Sequence, residues 1–299
     1  MAPLQLFRAA CNGIVILAST LIHVPPLLLL ACFKLVLPGR PVQRGLTRIL
    51  MRLAESWVAV NSWLMRTSTS TEFEIDVPTD LQPDGWYMVI SNHQSWVDIP
   101  VLQMVFNRRI PMLKFFLKQQ LIWVPLLGLA WWALDFPFMR RHSHAVLKKH
   151  PHLKGKDVEA TRKACEKFRY TPVSVMNFVE GTRFTPEKHA RRSTPYAHLL
   201  TPKAGGIGFV LQTMGDMMGD LLDVTIVYPD GRPSMLDLLA GRVSRVCVHV
   251  LRRPIPADLR NQDYENDAAF RVRFQAWLNA IWAEKDLAIA QRMGSAYLR

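Results

Sequence analysis

The stretch Trp86-Tyr87-Met88-Val89-Ile90-Ser91, running straight into Asn92-His93-Gln94-Ser95-Trp96-Val97-Asp98, decides the fold. Its first part is an apolar, aromatic and β-branched run, which reads as a buried strand. Its second part is a short, largely polar turn, after which a helical pattern opens at residues 99–106. A strand that feeds a helix in this way is the unit of an α/β sheet, whose ligands gather beyond the carboxyl ends of the strands. His93 and Asp98 stand at such an end.

Working outward, further short β-rich runs at residues 72–77, 173–179, 224–228 and 245–251 predict strands. Helical spacing predicts helices at 114–134, 157–168 and 206–218. Near the C-terminus Phe270, Phe274, Trp277, Leu278 and Ile281 mark an amphipathic packing helix, with Asn266 or Asp267 as its N-cap. The alternation predicts an α/β domain, a mixed β-sheet covered by helices, over residues 67–299. In 299 residues such a domain buries a substantial core.

Residues 1–66 differ in kind. From Ile14 to Phe33 twenty residues carry no formal charge, about the length that crosses a hydrocarbon core of roughly 30 Å. The Pro25-Pro26 pair predicts a kink or break near the middle of that segment, because each proline removes a helix hydrogen bond. The run is longer than a signal-peptide core and no small-x-small site follows it, so it reads as a retained anchor. Next, residues 41–65 form a basic amphipathic helix: Leu46, Leu50, Leu53 and Trp57 recur on one face, and Arg44, Arg48 and Arg52 line another. Residues 1–66 are accordingly expected to be a helical membrane-anchoring region, with anionic membrane lipid as a partner of the arginine row.

Charge narrows the partners. Lys and Arg number 37 against 24 Asp and Glu, a net +13, which favours an anionic partner: nucleic acid, acidic lipid or a phosphorylated substrate. No helix-turn-helix or aromatic-basic RNA motif accompanies the charge, so a membrane-anchored nucleic-acid-binding protein is the weaker reading. The four cysteines are widely spaced, with no C-x-x-C pair. That fits a reduced, cytosol-facing protein without a structural metal.

His93 and Asp98 are able to pair if the chain turns between them, Asp98 fixing the imidazole while the other ring nitrogen takes a proton from a hydroxyl. On spacing alone the plainer account is a loop histidine beside a helix cap. A second run, Val173-Ser174-Val175-Met176-Asn177-Phe178-Val179-Glu180-Gly181-Thr182-Arg183, is again a strand ending in polar and glycine residues. Gly181 permits a tight turn there, and Arg183 suits a two-pronged grip on phosphate. Alone, it reads as a surface Glu-Arg pair.

Together, N-H-x-x-x-x-D after one strand and E-G-T-R after a later one resemble the acyltransferase family that includes 1-acyl-sn-glycerol-3-phosphate acyltransferases. The pattern looks closest to a larger bacterial branch described as probable acyltransferases. Phe136-Pro137-Phe138-Met139-Arg140-Arg141 and Thr225-Ile226-Val227-Tyr228-Pro229 resemble two further family blocks, and Lys203-Ala204-Gly205 resembles a Lys-x-Gly element. In the block running from Lys118 to Gly128, Gln119 stands where an acid is common.

The resemblance covers roughly residues 70–250. It implies catalytic roles for His93 and Asp98, and acceptor binding by Glu180, Gly181, Thr182, Arg183, Arg140, Arg141 and Lys203. It implies transfer of an acyl chain from acyl-CoA or acyl-carrier protein to 1-acyl-glycerol-3-phosphate, with no cofactor and no metal. Another lysophospholipid, or glycerol phosphate, is the alternative acceptor. Backbone N–H groups at the start of the helix after Asp98 are the expected oxyanion donors. The expected site of action is the bacterial cytoplasmic (inner) membrane, with the catalytic domain facing the cytosol. The fourteen uncharged residues from Leu121 to Leu134 are too few to span a bilayer; a buried helix is the first expectation for them and a lipid-contacting face the second.

Overall fold

The computed structural model describes residues 2–139, 165, 166, 168 and 171–296. Arg140 and Arg141, and most of the helix expected at 157–168, lie outside the described residues.

The chain opens with two long helices, α1 (Pro3–Val36) and α2 (Arg40–Thr67). The body comes next, with β1 (Glu72–Asp76), β2 (Tyr87–Ser91), α3 (Asp98–Phe106), β3 (Leu113–Phe115), β4 (Leu117–Lys118), α4 (Leu127–Ala133) and β5 (Phe138–Met139). It continues with β6 (Ser174–Phe178), α5 (Pro186–Arg192), α6 (Gly205–Met214), β7 (Asp220–Val227), α7 (Met235–Leu239), β8 (Arg245–Pro254) and α8 (Ala268–Ala296).

Among the described residues six strands form one sheet in the order β1-β8-β7-β2-β6-β3, and β4 pairs with β5 apart from it. Neighbours in the large sheet run parallel except β7 and β8, which are antiparallel. The expected mixed sheet covered by helices is therefore present. In the parallel core β7-β2-β6-β3 the strand ends point the same way, so the turns that leave Ser91, Phe178 and Val227 collect along one edge.

All five residues of β2 are buried, and their alternation sends Tyr87 and Val89 to one face and Met88 and Ile90 to the other. The first face meets Leu50 and Ala54 of α2 and Val101, Leu102 and Val105 of α3. The second meets α6 and α8, where Phe270, Phe274, Leu278 and Trp282 form an i, i+4 row. Burying each such aromatic contributes about 1.5–3 kcal/mol before entropy is charged against it. Asp267 caps α8 as expected, accepting the Phe270 N–H at 2.9 Å.

Two expectations change. The helix expected at 114–134 is instead β3, β4, a 3₁₀ turn at Gln119–Trp123 and the short α4. The bulky Leu113 and Phe115 pair with β6, and Pro125 blocks helix continuity ahead of α4. Nor is this segment simply buried: no residue of the 3₁₀ turn is, and Trp123 is 85% exposed. Lys114, carried inward by β3, donates to the Leu134 carbonyl and lies 4.7 Å from the Phe136 ring centre; burial pulls its ammonium down to about 7.

Secondly, α1 continues through Pro25 and Pro26, so the prolines do not break it. Both prolines and the residues four positions earlier, Leu21 and Ile22, are exposed, whereas Val24 and Leu27 pack inward. Contacts with α2 hold the helix where its own hydrogen bonds lapse. His23 contacts the Ser56 hydroxyl at 3.2 Å, and Trp57 donates to Thr20 at 3.1 Å. The helix is also tied to the body near both ends, by Asn12 donating to the Leu239 carbonyl at 2.8 Å and by Lys34 pairing with Asp135 at 2.7 Å.

Candidate active site

The turn after β2 is built around one carboxylate. Asp98 is the first residue of α3 and fully buried. Its Oδ2 meets His93 Nδ1 at 2.8 Å and accepts the backbone N–H groups of Gln94 and Ser95 at 2.7 and 3.0 Å. Its Oδ1 accepts the Tyr228 hydroxyl at 2.6 Å. The carboxylate that organises the turn therefore also holds the imidazole. With Nδ1 engaged, Nε2 is the ring nitrogen left for a substrate proton.

The imidazole is fixed from a second side. Phe178, the last residue of β6, stacks on it with ring centres 3.9 Å apart and planes 13° from parallel. Just upstream, Asn92 uses its side-chain amide as an extra rung of the sheet: Nδ2 donates to the Ile226 carbonyl at 2.8 Å and Oδ1 accepts the Ile226 N–H at 2.9 Å. The histidine is thus delivered by a rigid strand end.

Glu180 brings the second motif to the first. It is buried, with Oε1 accepting the His93 N–H at 2.8 Å and Oε2 accepting the Leu200 N–H at 2.9 Å. Burial pushes its carboxyl up to about 7; the two N–H groups oppose that rise, the nearby Asp98 adds to it and Lys285 opposes it. Both oxygens are occupied by main chain, so the geometry gives Glu180 a hold on His93 and leaves no oxygen directed at an acceptor. Lys285, buried on α8, pairs with Asp223 at 2.6 Å and donates to Val224 and Thr225 of β7.

Gly181 has φ +69°, a conformation that disfavours side chains, and Lys203 lies over it, with its Nζ 3.5 Å from where a Cβ would stand. Thr182 accepts from Lys188 Nζ at 2.9 Å, and Lys188 also donates to the Arg183 carbonyl. The Arg183 guanidinium sits 4.7 Å from the ring centre of Trp96, which is half exposed at the rim. Phe184 closes the set by donating its N–H to the His93 carbonyl at 2.7 Å, and its own carbonyl accepts from Arg232. The fold thus brings His93, Asp98, Glu180, Gly181, Thr182, Arg183 and Lys203 together.

Most of the expected oxyanion donors are engaged elsewhere, while the Trp96 N–H has no hydrogen-bond partner among the described residues. Gln94, Ser95 and Val97 give their N–H groups to side chains of the turn, and Asp98 and Ile99 give theirs to the Ser95 and Trp96 carbonyls. Sequence reading also left Tyr228, Phe178, Asn92 and Arg232 without roles. Phe178 ends β6 and Tyr228 directly follows β7, the two strands that flank β2, a signal that exists only once the strand order is known.

The family model described as Acyltransferase matches residues 72–229. Mouse 1-acyl-sn-glycerol-3-phosphate acyltransferase gamma is 28% identical over 185 residues, covering 58% of this chain and 44% of that protein. Human 1-acyl-sn-glycerol-3-phosphate acyltransferase delta is 24% identical over 211 residues, covering 67% of this chain and 51% of that one. The chain spans about half the length of these relatives. The crystal structure of the 1-acyl-sn-glycerophosphate (LPA) acyltransferase PlsC from Thermotoga maritima superposes with a TM-score of 0.53 at 14% identity, covering 93% of this chain and 98% of that one, a likeness of fold. With more than half of its length matched by that family model, and with the N-H-x-x-x-x-D and E-G-T-R runs meeting at one sheet edge, the chain belongs to the acyltransferase family.

Proposed function

We propose that this protein transfers a fatty acyl group from an acyl thioester, acyl-CoA or acyl-carrier protein, to the free hydroxyl of 1-acyl-glycerol-3-phosphate, forming phosphatidate. The observation that carries the reading is the 2.8 Å contact of His93 Nδ1 with the buried Asp98, beside an arginine-bearing rim. A lysophospholipid hydroxyl is a weak nucleophile at neutral pH. His93 Nε2 takes its proton as the oxygen attacks the thioester carbonyl, and Asp98 stabilises the imidazolium that forms. Collapse of the tetrahedral intermediate expels the thiolate, which recovers the proton from His93. Glu180 acts as a positioning residue through the His93 main chain. Arg183, with Lys203 close by over Gly181, binds the acceptor phosphate, and this binding orients the hydroxyl. Arg140 and Arg141, close in sequence to β5, are further candidates for that phosphate.

Location at a membrane is supported by α1, whose 34 residues include an apolar face carrying exposed Leu6, Phe7, Ile14, Leu17, Leu21 and Leu29. The ties at Asn12 and Lys34 are separated by roughly 33 Å of helix. A helix fastened to the body over that length lies along it, so its free face enters one leaflet and does not cross. The exposed Arg44, Arg48 and Arg52 of α2 then meet anionic headgroups. We place the protein on the cytosolic side of the bacterial cytoplasmic membrane.

The test supplies membranes containing wild type or His93→Ala with lysophosphatidate and each thioester, with glycerol phosphate and other lysophospholipids in parallel. Phosphatidate should appear only with wild type. Equal formation by both proteins sinks the mechanism, and faster acylation of another acceptor transfers the assignment to that lipid.

A further inference from the structure

We propose that Tyr228 is a positioning residue of the His93–Asp98 pair, holding the carboxylate oxygen that His93 does not use. The inference rests on the reading of His93 as the base.

The geometry is specific. Tyr228 comes directly after β7, is buried, and donates its hydroxyl to Asp98 Oδ1 at 2.6 Å. Oδ2 is already saturated by His93 Nδ1 and two backbone N–H groups, so Tyr228 completes the coordination of a carboxylate that no water reaches. β7 is the parallel neighbour of β2, and Asn92 clamps the two strands at Ile226, two residues before Tyr228. The hydroxyl is therefore set by the same sheet that sets the histidine. Burial and the Asp98 charge both keep the phenol protonated, so it is a donor throughout the working range.

The consequence is electronic as well as steric. A hydrogen bond to Oδ1 draws negative charge away from Oδ2, which moderates the pull of Asp98 on the imidazolium. Without it Asp98 draws harder on the imidazolium and is itself less firmly oriented, so the imidazole is less well aimed at the acceptor hydroxyl. Besides Arg183 and Lys203 at the phosphate end of the site, the titratable groups facing the pair are Glu180, from the turn after β6, and Lys285 of α8, whose charge reaches Glu180. Neither exchanges a hydrogen bond with Tyr228.

Tyr228→Phe removes one oxygen and keeps the ring. Expected is a fall in kcat of about ten-fold, with KM for the acceptor within about two-fold of wild type, and an acidic limb of the rate profile moved up by about 0.5–1 pH unit. Site-specific 3-fluorotyrosine at position 228 keeps the hydroxyl and strengthens it as a donor, so its limb moves down. Tyr196→Phe, which loses a hydroxyl bonded to the Asn279 carbonyl and not to the pair, leaves the limb in place. Independently of turnover, the low-field proton resonance of His93 Nδ1–H, assigned by its loss in His93→Ala, shifts in Tyr228→Phe and not in Tyr196→Phe.

Wild-type kcat and limb in a folded Tyr228→Phe protein overturn the proposal, as does movement of both variants in one direction. If Tyr228→Phe does not fold, the fluorotyrosine protein decides: a limb and resonance unchanged from wild type overturn it. Absence of His93-dependent acyl transfer in wild type defeats the functional reading instead, and the resonance still decides whether Tyr228 governs the pair.

Discussion

Glu180 accepts the His93 backbone N–H at 2.8 Å, so the second motif grips the first by its main chain. Its other oxygen grips Leu200 in the same way. Glu180→Gln offers one acceptor and one donor to two N–H groups, and one of them is left facing an amide N–H. The expected cost is about 1–3 kcal/mol of stability, with kcat lowered about ten-fold or more. Thermal unfolding and initial rates measure both; an unchanged melting temperature would refute the role.

The same carboxyl makes stability depend on pH. Its folded value, about 7, stands above the ordinary 4.5, so the folded state binds more protons between those limits than the unfolded chain does. The stabilisation is complete below pH 4.5 and is lost as pH rises through 7, a difference of at most roughly 3 kcal/mol. Urea unfolding at pH 5 and pH 8 should show wild type losing stability relative to Glu180→Gln. Parallel curves for the two proteins would contradict it.

Asp98→Asn keeps the shape of the turn but replaces the charge that stabilises the imidazolium. Loss of kcat on the order of 10³- to 10⁴-fold is expected, comparable with the 10²- to 10⁴-fold assigned to the base itself in His93→Ala. Because the two act as a unit, the double variant should be little worse than the poorer single one. Multiplying losses would show that they work separately.

Arg183 stacks on the half-exposed Trp96 and takes no part in the His93–Asp98 contact. Arg183→Ala should therefore lower kcat/KM for lysophosphatidate by about ten- to a hundred-fold, mainly through KM, since a charge-assisted contact is worth about 1.5–3 kcal/mol. Monoacylglycerol, which lacks the phosphate, is the control substrate. An equal loss on both acceptors would remove Arg183 from phosphate binding.

Reversing Arg44, Arg48 and Arg52 to Glu tests the membrane face of α2. Each arginine near an anionic surface contributes about 1 kcal/mol, so binding to vesicles containing acidic phospholipid should fall by about a hundred-fold or more. High salt should shrink the difference, because the charges are exposed. Co-sedimentation reads the result, and an unaffected triple variant would leave the apolar face of α1 as sole anchor.

Much of this was legible in the residues, and the exceptions have a common cause. Strands such as β2 and β6 declare themselves through local composition, and their polar ends marked His93, Asp98 and Glu180 to Arg183. Tyr228 did not, because its partner stands 130 positions away and the two meet only through the β7–β2 pairing. The segment at 114–134 misled for the opposite reason: its spacing suits a helix, but Leu113 and Phe115 gain more by pairing with β6 at the sheet edge. In α1, packing against α2 overrode the prolines. Local pattern found the elements, and nonlocal pairing decided what the pattern left open.

The fastening of α1 at Asn12 and Lys34 bears on how lipid reaches His93. On the function proposed above, an anchor fastened at two points holds the mouth of the site at one depth in the leaflet, and an acceptor arrives by lateral diffusion without first being lifted into water. Encounter then depends on how crowded the acceptor is within the surface, not on its amount in the tube. Diluting the vesicle with inert lipid will slow the enzyme even when every bulk concentration is unchanged.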